Sequence, residues 1–134
     1  MKPRVKIIDT KFKVDTINKI VICELRCDLQ TDKVELKGYI TRDMWEKRFP
    51  NIKWDGMFIV KAKARCINGD TFDERKGKMI SESKAKVKMY SIASRIWEAI
   101  ASAIESDLIK CRNVRNACVR ANRIECDHVT ELSK

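Results

Sequence analysis

From Lys78 to Lys134 the chain contains neither glycine nor proline, and all four glycines and both prolines lie before that point. Proline removes a backbone donor and clashes inside a helix, and glycine costs about 1 kcal/mol there, so an uninterrupted stretch of this length favours helix over any other regular structure. The apolar spacing agrees. Met89, Ile92, Ala93, Ile96, Trp97, Ile100, Ala103, Ile104 and Leu108 recur at three- and four-residue steps and form a stripe wide enough to cover a sheet. Leu108, Cys111, Val114, Cys118 and Ala121 continue it more narrowly. The helical region is expected over 71–131, as one or two helices. Two are favoured, because Ser106-Asp107 offers a second cap and one helix of that length would overhang a small sheet. Thr71-Phe72-Asp73-Glu74 fits a capping box for the first start. Gly77, in the first turns, is expected where another part of the chain approaches closely.

Before residue 68 the period is two. Val21, Cys23, Leu25, Cys27 and Leu29 alternate with Ile22, Glu24, Arg26, Asp28 and Gln30, the pattern of a half-buried strand. Lys33–Ile40 repeats it after a turn at Thr31-Asp32, with Val34, Leu36 and Ile40 on one face. Met57–Cys66 repeats it again, with Phe58, Val60, Ala62, Ala64 and Cys66 inward and Lys61, Lys63 and Arg65 outward. An earlier strand near Ile7–Asp15 is expected to turn Ile8, Thr10, Phe12 and Val14 inward. A short helical turn near 42–48 ends before Pro50. The fold class expected is α+β: an antiparallel sheet of about four strands over 1–68, one face polar and mostly basic, followed by one or two long C-terminal helices. With 134 residues and 44% hydrophobic content, residues 1–134 are expected to form a single domain with its own core.

Chemistry is sparse. His128 is the sole histidine and stands in Glu125-Cys126-Asp127-His128, which has no ligand spacing; four glycines supply no phosphate-cradling loop. No CxxC pair occurs among Cys23, Cys27, Cys66, Cys111, Cys118 and Cys126, which are expected to be reduced, buried packing residues. The expectation is no enzyme, no metal and no cofactor. The N-terminal sequence lacks the apolar run of a signal peptide and no stretch approaches a membrane span, which points to the cytoplasm with no membrane partner.

The net charge is +10, with bases outnumbering acids in both halves, so the partner is expected to carry phosphate or another polyanion. Residues 110–123, KCRNVRNACVRANR, concentrate the signal. On a helix Arg112, Asn116, Val119 and Arg123 share one side, flanked by Arg115 and Asn122, opposite Cys111, Val114, Cys118 and Ala121. Arg112, Arg115 and Arg123 are candidate phosphate ligands, because guanidinium gives planar two-point contacts. Asn116 and Asn122 are candidate base or ribose ligands, because an amide both donates and accepts. Weaker candidates are the lysines of 69–90, the outward Lys11, Lys13, Lys37, Lys61, Lys63 and Arg65, and a loop cluster of Trp45, Phe49, Trp54 and Phe58 on which a base could stack. A solvated helix face is the plain alternative. The leftover apolar strip is expected to make the chain at least a homodimer.

The segment KAKARCINGDTFDERKGKMISESKAKVKMY, residues 61–90, resembles a motif of small phage and prophage proteins. The layout of an N-terminal sheet and long C-terminal helices is similar to that of the phage anti-Thoeris "sponge" proteins. Those proteins sequester cyclic ADP-ribose-type signals, and in some cases cyclic oligonucleotides, without cleaving them. The resemblance implies assembly from dimers, pockets that use helix arginines, and anti-defence action in a host cytosol. It carries over no individual site residue. The function expected is non-catalytic sequestration of a small phosphorylated nucleotide; the alternative is a basic nucleic-acid-binding phage protein.

Overall fold

The computed structural model describes residues 3–30, 41–66 and 71–134. In chain order its elements are β1 (Lys6–Asp15), β2 (Ile20–Asp28), α1 (Arg42–Arg48), β3 (Met57–Arg65) and α2 (Glu74–Leu132). The class is α+β, with an antiparallel sheet in the order β1-β2-β3. Three strands are described; the expected strand at Lys33–Ile40 lies outside the described residues. The chain divides into two units, Met1–Glu98 and Ala99–Lys134.

In the first unit β1 and β2 are joined by a tight turn in which the Asp15 carboxylate accepts from the Asn18 backbone (3.0 Å) and side-chain amide (2.8 Å). These two hydrogen bonds to the charged form hold the Asp15 carboxyl below its ordinary range. The inner face is the alternating set Val21, Cys23, Leu25 and Cys27 of β2 with Phe58, Val60, Ala62 and Ala64 of β3, all buried, as the period-two pattern requires. Parity fails in β1. The register runs from Ile7↔Cys27 straight to Asp9↔Arg26, so Ile8 is an extra residue. A bulge of this kind reverses which residues face inward, and Ile8, expected inside, is 42% exposed while Ile7 stands opposite buried Cys27.

Helix α2 covers that face with Ser81, Ala85, Met89, Ala93 and Ile96. Gly77 opens the same row, and a Cβ there would lie 2.7 Å from Val21 Cγ2, so the close approach expected at this glycine is to a buried valine side chain of β2. Lys84 and Lys88 donate from Nζ to the Lys63 and Lys61 carbonyls (3.4 and 2.7 Å), which covers the edge of β3 with charge and discourages strand addition. The cap at the start of α2 is Asp73, whose carboxylate accepts from Lys76 N at 3.1 Å, rather than Thr71. Aspartate is a strong N-cap, and it stands directly before Glu74. The expected break near 106 is absent. Ser106 and Asp107 lie inside a single helix of 59 residues, because no glycine or proline interrupts the backbone there and a serine side chain alone does not end a helix.

Between β2 and β3, α1 is capped by Thr41, whose hydroxyl accepts from Met44 N, and stapled by the Arg42–Glu46 pair. Trp45 is 1% exposed, and its Nε1 donates to the carbonyls of Ile52 (2.9 Å) and Lys53 (3.2 Å), which fixes the loop that follows. Gly56 completes that loop with φ 94°, a backbone shape few other residues adopt.

Candidate functional site

The second unit is a helical stretch in which every residue from Leu108 to Lys134 is exposed. Arg112, Arg115, Asn116, Asn122 and Arg123 all lie on it. Arg115 donates from Nε and Nη2 to Asn116 Oδ1 (3.4 and 3.2 Å), so guanidinium and amide sit edge to edge. Asn122 Oδ1 accepts from Cys126 Sγ at 3.7 Å. The Lys134–Glu131 ion pair (3.0 Å) and the approach of His128 Nδ1 to Glu125 Oε2 (3.7 Å) lie C-terminal to the strip. Between Asp107 and Glu125 no acid occurs, and Lys110, Arg112, Arg115, Arg120 and Arg123 form no ion pair among the described residues. Arg112 with Arg115, and Arg120 with Arg123, are like charges three apart, each costing a few tenths of a kcal/mol that a polyanion would relieve.

The sheet's outer face is less basic than its sequence suggests. Cross-strand register places Glu24 between Lys11 and Lys61, and Ile22 between Lys13 and Lys63, while Asp9 and Asp15 stand in the rows of Arg26 and Arg65. Opposite charges within ~5 Å across a ladder cancel much of each other's field. Lys37 lies outside the described residues. Nor is Trp45 available for base stacking, because it is buried with its ring edge against Phe49 (5.0 Å) and Trp54 (5.7 Å).

Cysteines separate by region. Cys23 and Cys27 are buried, as expected of packing thiols, and burial pushes Cys27 up to about 11. Cys111, Cys118 and Cys126 are exposed, against expectation, because the apolar seam that carries Cys111 and Cys118 is itself open. Among the described residues no cluster of histidine, cysteine and acid is placed to hold a metal, and no helix is long and apolar enough to cross a membrane.

Clefts occur in the first unit. One of about 420 Å³ lies at the start of α2, between Arg65, Asp73, Lys76 and Gly77. A second of about 690 Å³ borders Arg42, Glu46, Lys53 and Trp54. A third, of about 370 Å³, is walled by Phe49, Ile52, Phe58, Ile59, Ile92 and Ile96, with Arg48 and Arg95 among its lining residues. Sequence reading missed Arg48 and Arg95. The Ile92-Arg95-Ile96 spacing does put all three on one helix face, but nothing in the spacing says that the loop after α1 meets that face. Compared with protein-family models, curated proteins and solved structures, the chain matches none.

Proposed function

We propose that this protein is a non-catalytic binder of phosphate-bearing partners in the cytoplasm, that the α2 face carrying Arg112, Asn116 and Arg123 lies along a nucleic-acid backbone, and that the chain acts as a homodimer joined through the opposite face. The observation that carries this reading is the run between Asp107 and Glu125, with five exposed cations and no acid. An open, convex helix face suits a backbone, where phosphates are contacted one by one from outside. The opposite seam of Cys111, Val114, Cys118 and Ala121 is exposed apolar surface suited to a second copy.

A second reading is sequestration of a small phosphorylated nucleotide, of the cyclic ADP-ribose type or a cyclic oligonucleotide, with Arg112, Arg115 and Arg123 on phosphates and Asn116 or Asn122 on base or ribose. Its support is the Arg115–Asn116 pairing, which presents donor and acceptor groups together. A small ligand is ordinarily buried over most of its surface, so this reading needs a second chain to wall the strip.

Salt separates the two. For a duplex, the logarithm of affinity should fall linearly with the logarithm of salt, and Arg112→Ala, Arg115→Ala and Arg123→Ala should each lower the slope by about 0.9. For a walled small nucleotide the salt response should be weak, each arginine should contribute 30-fold or more, and heating should release the ligand intact. Three variants that bind both ligand types within threefold of wild type would leave the strip a solvated face. Light scattering that finds only monomer at micromolar concentration would remove the dimer.

A further inference from the structure

We propose that the cleft between the loop after α1, β3 and the Ile92–Ile96 turn of α2 is a separate small-molecule site, and that it takes a phosphate monoester carrying a flat apolar ring. It lies wholly within the Met1–Glu98 unit and uses no residue of the 110–123 strip, so it stands or falls independently of the helix reading.

The walls are built rather than incidental. Phe49 N donates to Trp45 O at 2.7 Å, closing α1, and the buried Trp45 indole holds the Ile52 and Lys53 carbonyls, so the loop that forms one wall is fixed from beneath. Ile96, 2% exposed, anchors the opposite wall. Ile92, four residues earlier, shares its helix face, and Arg95, three residues after Ile92, flanks that face, which sets a cation beside an apolar floor. Phe49, Ile52 and Ile92 line the same cleft and are only half-buried, so apolar surface is left for a ligand to cover. A volume of about 370 Å³ falls within the range of small-ligand sites, which are mostly apolar with a few convergent polar groups.

The charge selects the ligand's head. Arg48 and Arg95 are exposed, and neither forms an ion pair among the described residues; the nearby Glu46 is engaged by Arg42 at 2.9 Å. Arg48 lies 6.0 Å over the Phe49 ring, a stacking contact that restrains its guanidinium while leaving its N–H edges open. Two guanidinium groups beside one cleft match a group bearing nearly two negative charges. A phosphate monoester carries about −1.5 to −2 at neutral pH, and a carboxylate only −1. Phe49, Pro50 and the isoleucine walls accept a ring, and Asn51, also on the lining, can meet one polar substituent on it.

The test titrates the full-length protein with phenyl phosphate, inorganic phosphate and phenol, followed by calorimetry. Phenyl phosphate is expected to bind at least tenfold more tightly than either half-ligand. Arg48→Ala and Arg95→Ala should each weaken it tenfold or more with an unchanged melting temperature. Arg112→Ala should leave it untouched. The proposal is overturned if phenyl phosphate binds no more tightly than inorganic phosphate, or if Arg48→Ala and Arg95→Ala both bind within threefold of wild type. Loss of binding in Arg112→Ala alone would equally overturn it, while supporting the helix strip.

Discussion

Glu74–Glu98 and Ala99–Lys134 are, but for the last two residues, stretches of one helix, both free of breakers after Gly77, yet their side chains meet different surroundings. In the first, Gly77, Ser81, Ala85, Met89 and Ala93 recur every four residues, and the last four are buried. Small residues at that interval make a flat row that lets a helix lie close on a sheet. In the second, Ile109, Val114, Val119, Ile124 and Val129 recur every five residues and are all more than half exposed. Five residues advance ~140° on a helix, so these larger apolar groups spiral around it, and only the narrow seam of Cys111, Val114, Cys118 and Ala121 keeps to one side. Helicity and packing are thus separate outcomes. Local propensity sets the first, and the interval between small or apolar residues sets the second.

The largest test of this contrast compares core with spiral. Leu25, fully buried on the sheet face that α2 covers, should cost about 2–5 kcal/mol when replaced by alanine, through lost burial and the cavity left behind. Val119→Ala, at a position 52% exposed, should change chemical-denaturation stability by no more than ~0.5 kcal/mol. Equal costs would break the comparison and show that the second unit is as tightly held as the first.

A smaller effect sharpens it. Alanine is a better helix former than glycine by ~1 kcal/mol, so Gly77→Ala would stabilise a helix with nothing beside it. Here the added methyl would meet Val21 at 2.7 Å, and Val21 is fully buried and stiff at χ1, with nowhere to move. The net effect should be destabilisation of about 1–2 kcal/mol, read as a lower melting temperature. In the open stretch the same reasoning reverses sign. Asn113→Ala, at an exposed site, should raise stability by a few tenths of a kcal/mol, because propensity alone acts there.

The legible parts of the chain were those decided by local periodicity. β2, β3 and α1 followed from alternation and from the turn before Pro50, and the helical side shared by Arg112, Asn116 and Arg123 followed from spacing alone. Ile8 was misplaced because one bulged residue reverses strand parity without altering composition. Cys111 and Cys118 looked like core residues because a seam reads the same in sequence whether or not anything covers it. The Arg48–Arg95 cleft was illegible for another reason, since its two cations lie on elements 47 residues apart in sequence that only the tertiary fold brings together.

The cysteines carry the same contrast into pH dependence. Cys27 is fully buried, its Sγ contacts the Leu25 carbonyl at 3.8 Å, and burial raises its thiol from 9.0 to about 11; Cys23 is raised too, first by burial and then by Glu82, partly offset by Lys86. A raised acid keeps its proton in the folded chain while the unfolded chain releases it. Between pH 9 and 11 the unfolded state therefore binds fewer protons, and stability falls as pH rises. Below pH 9 both states hold the proton and Cys27 adds no slope. One pH unit inside that window corresponds to ~1.4 kcal/mol per group, so from pH 8 to pH 10 wild-type stability should fall by about 1 kcal/mol more than that of Cys27→Ala. Comparing the two proteins cancels the lysines and tyrosines that titrate in the same range. Parallel slopes would mean that the Cys27 thiolate reaches water in the folded chain, and that the sheet side of α2 is as open as its exposed end.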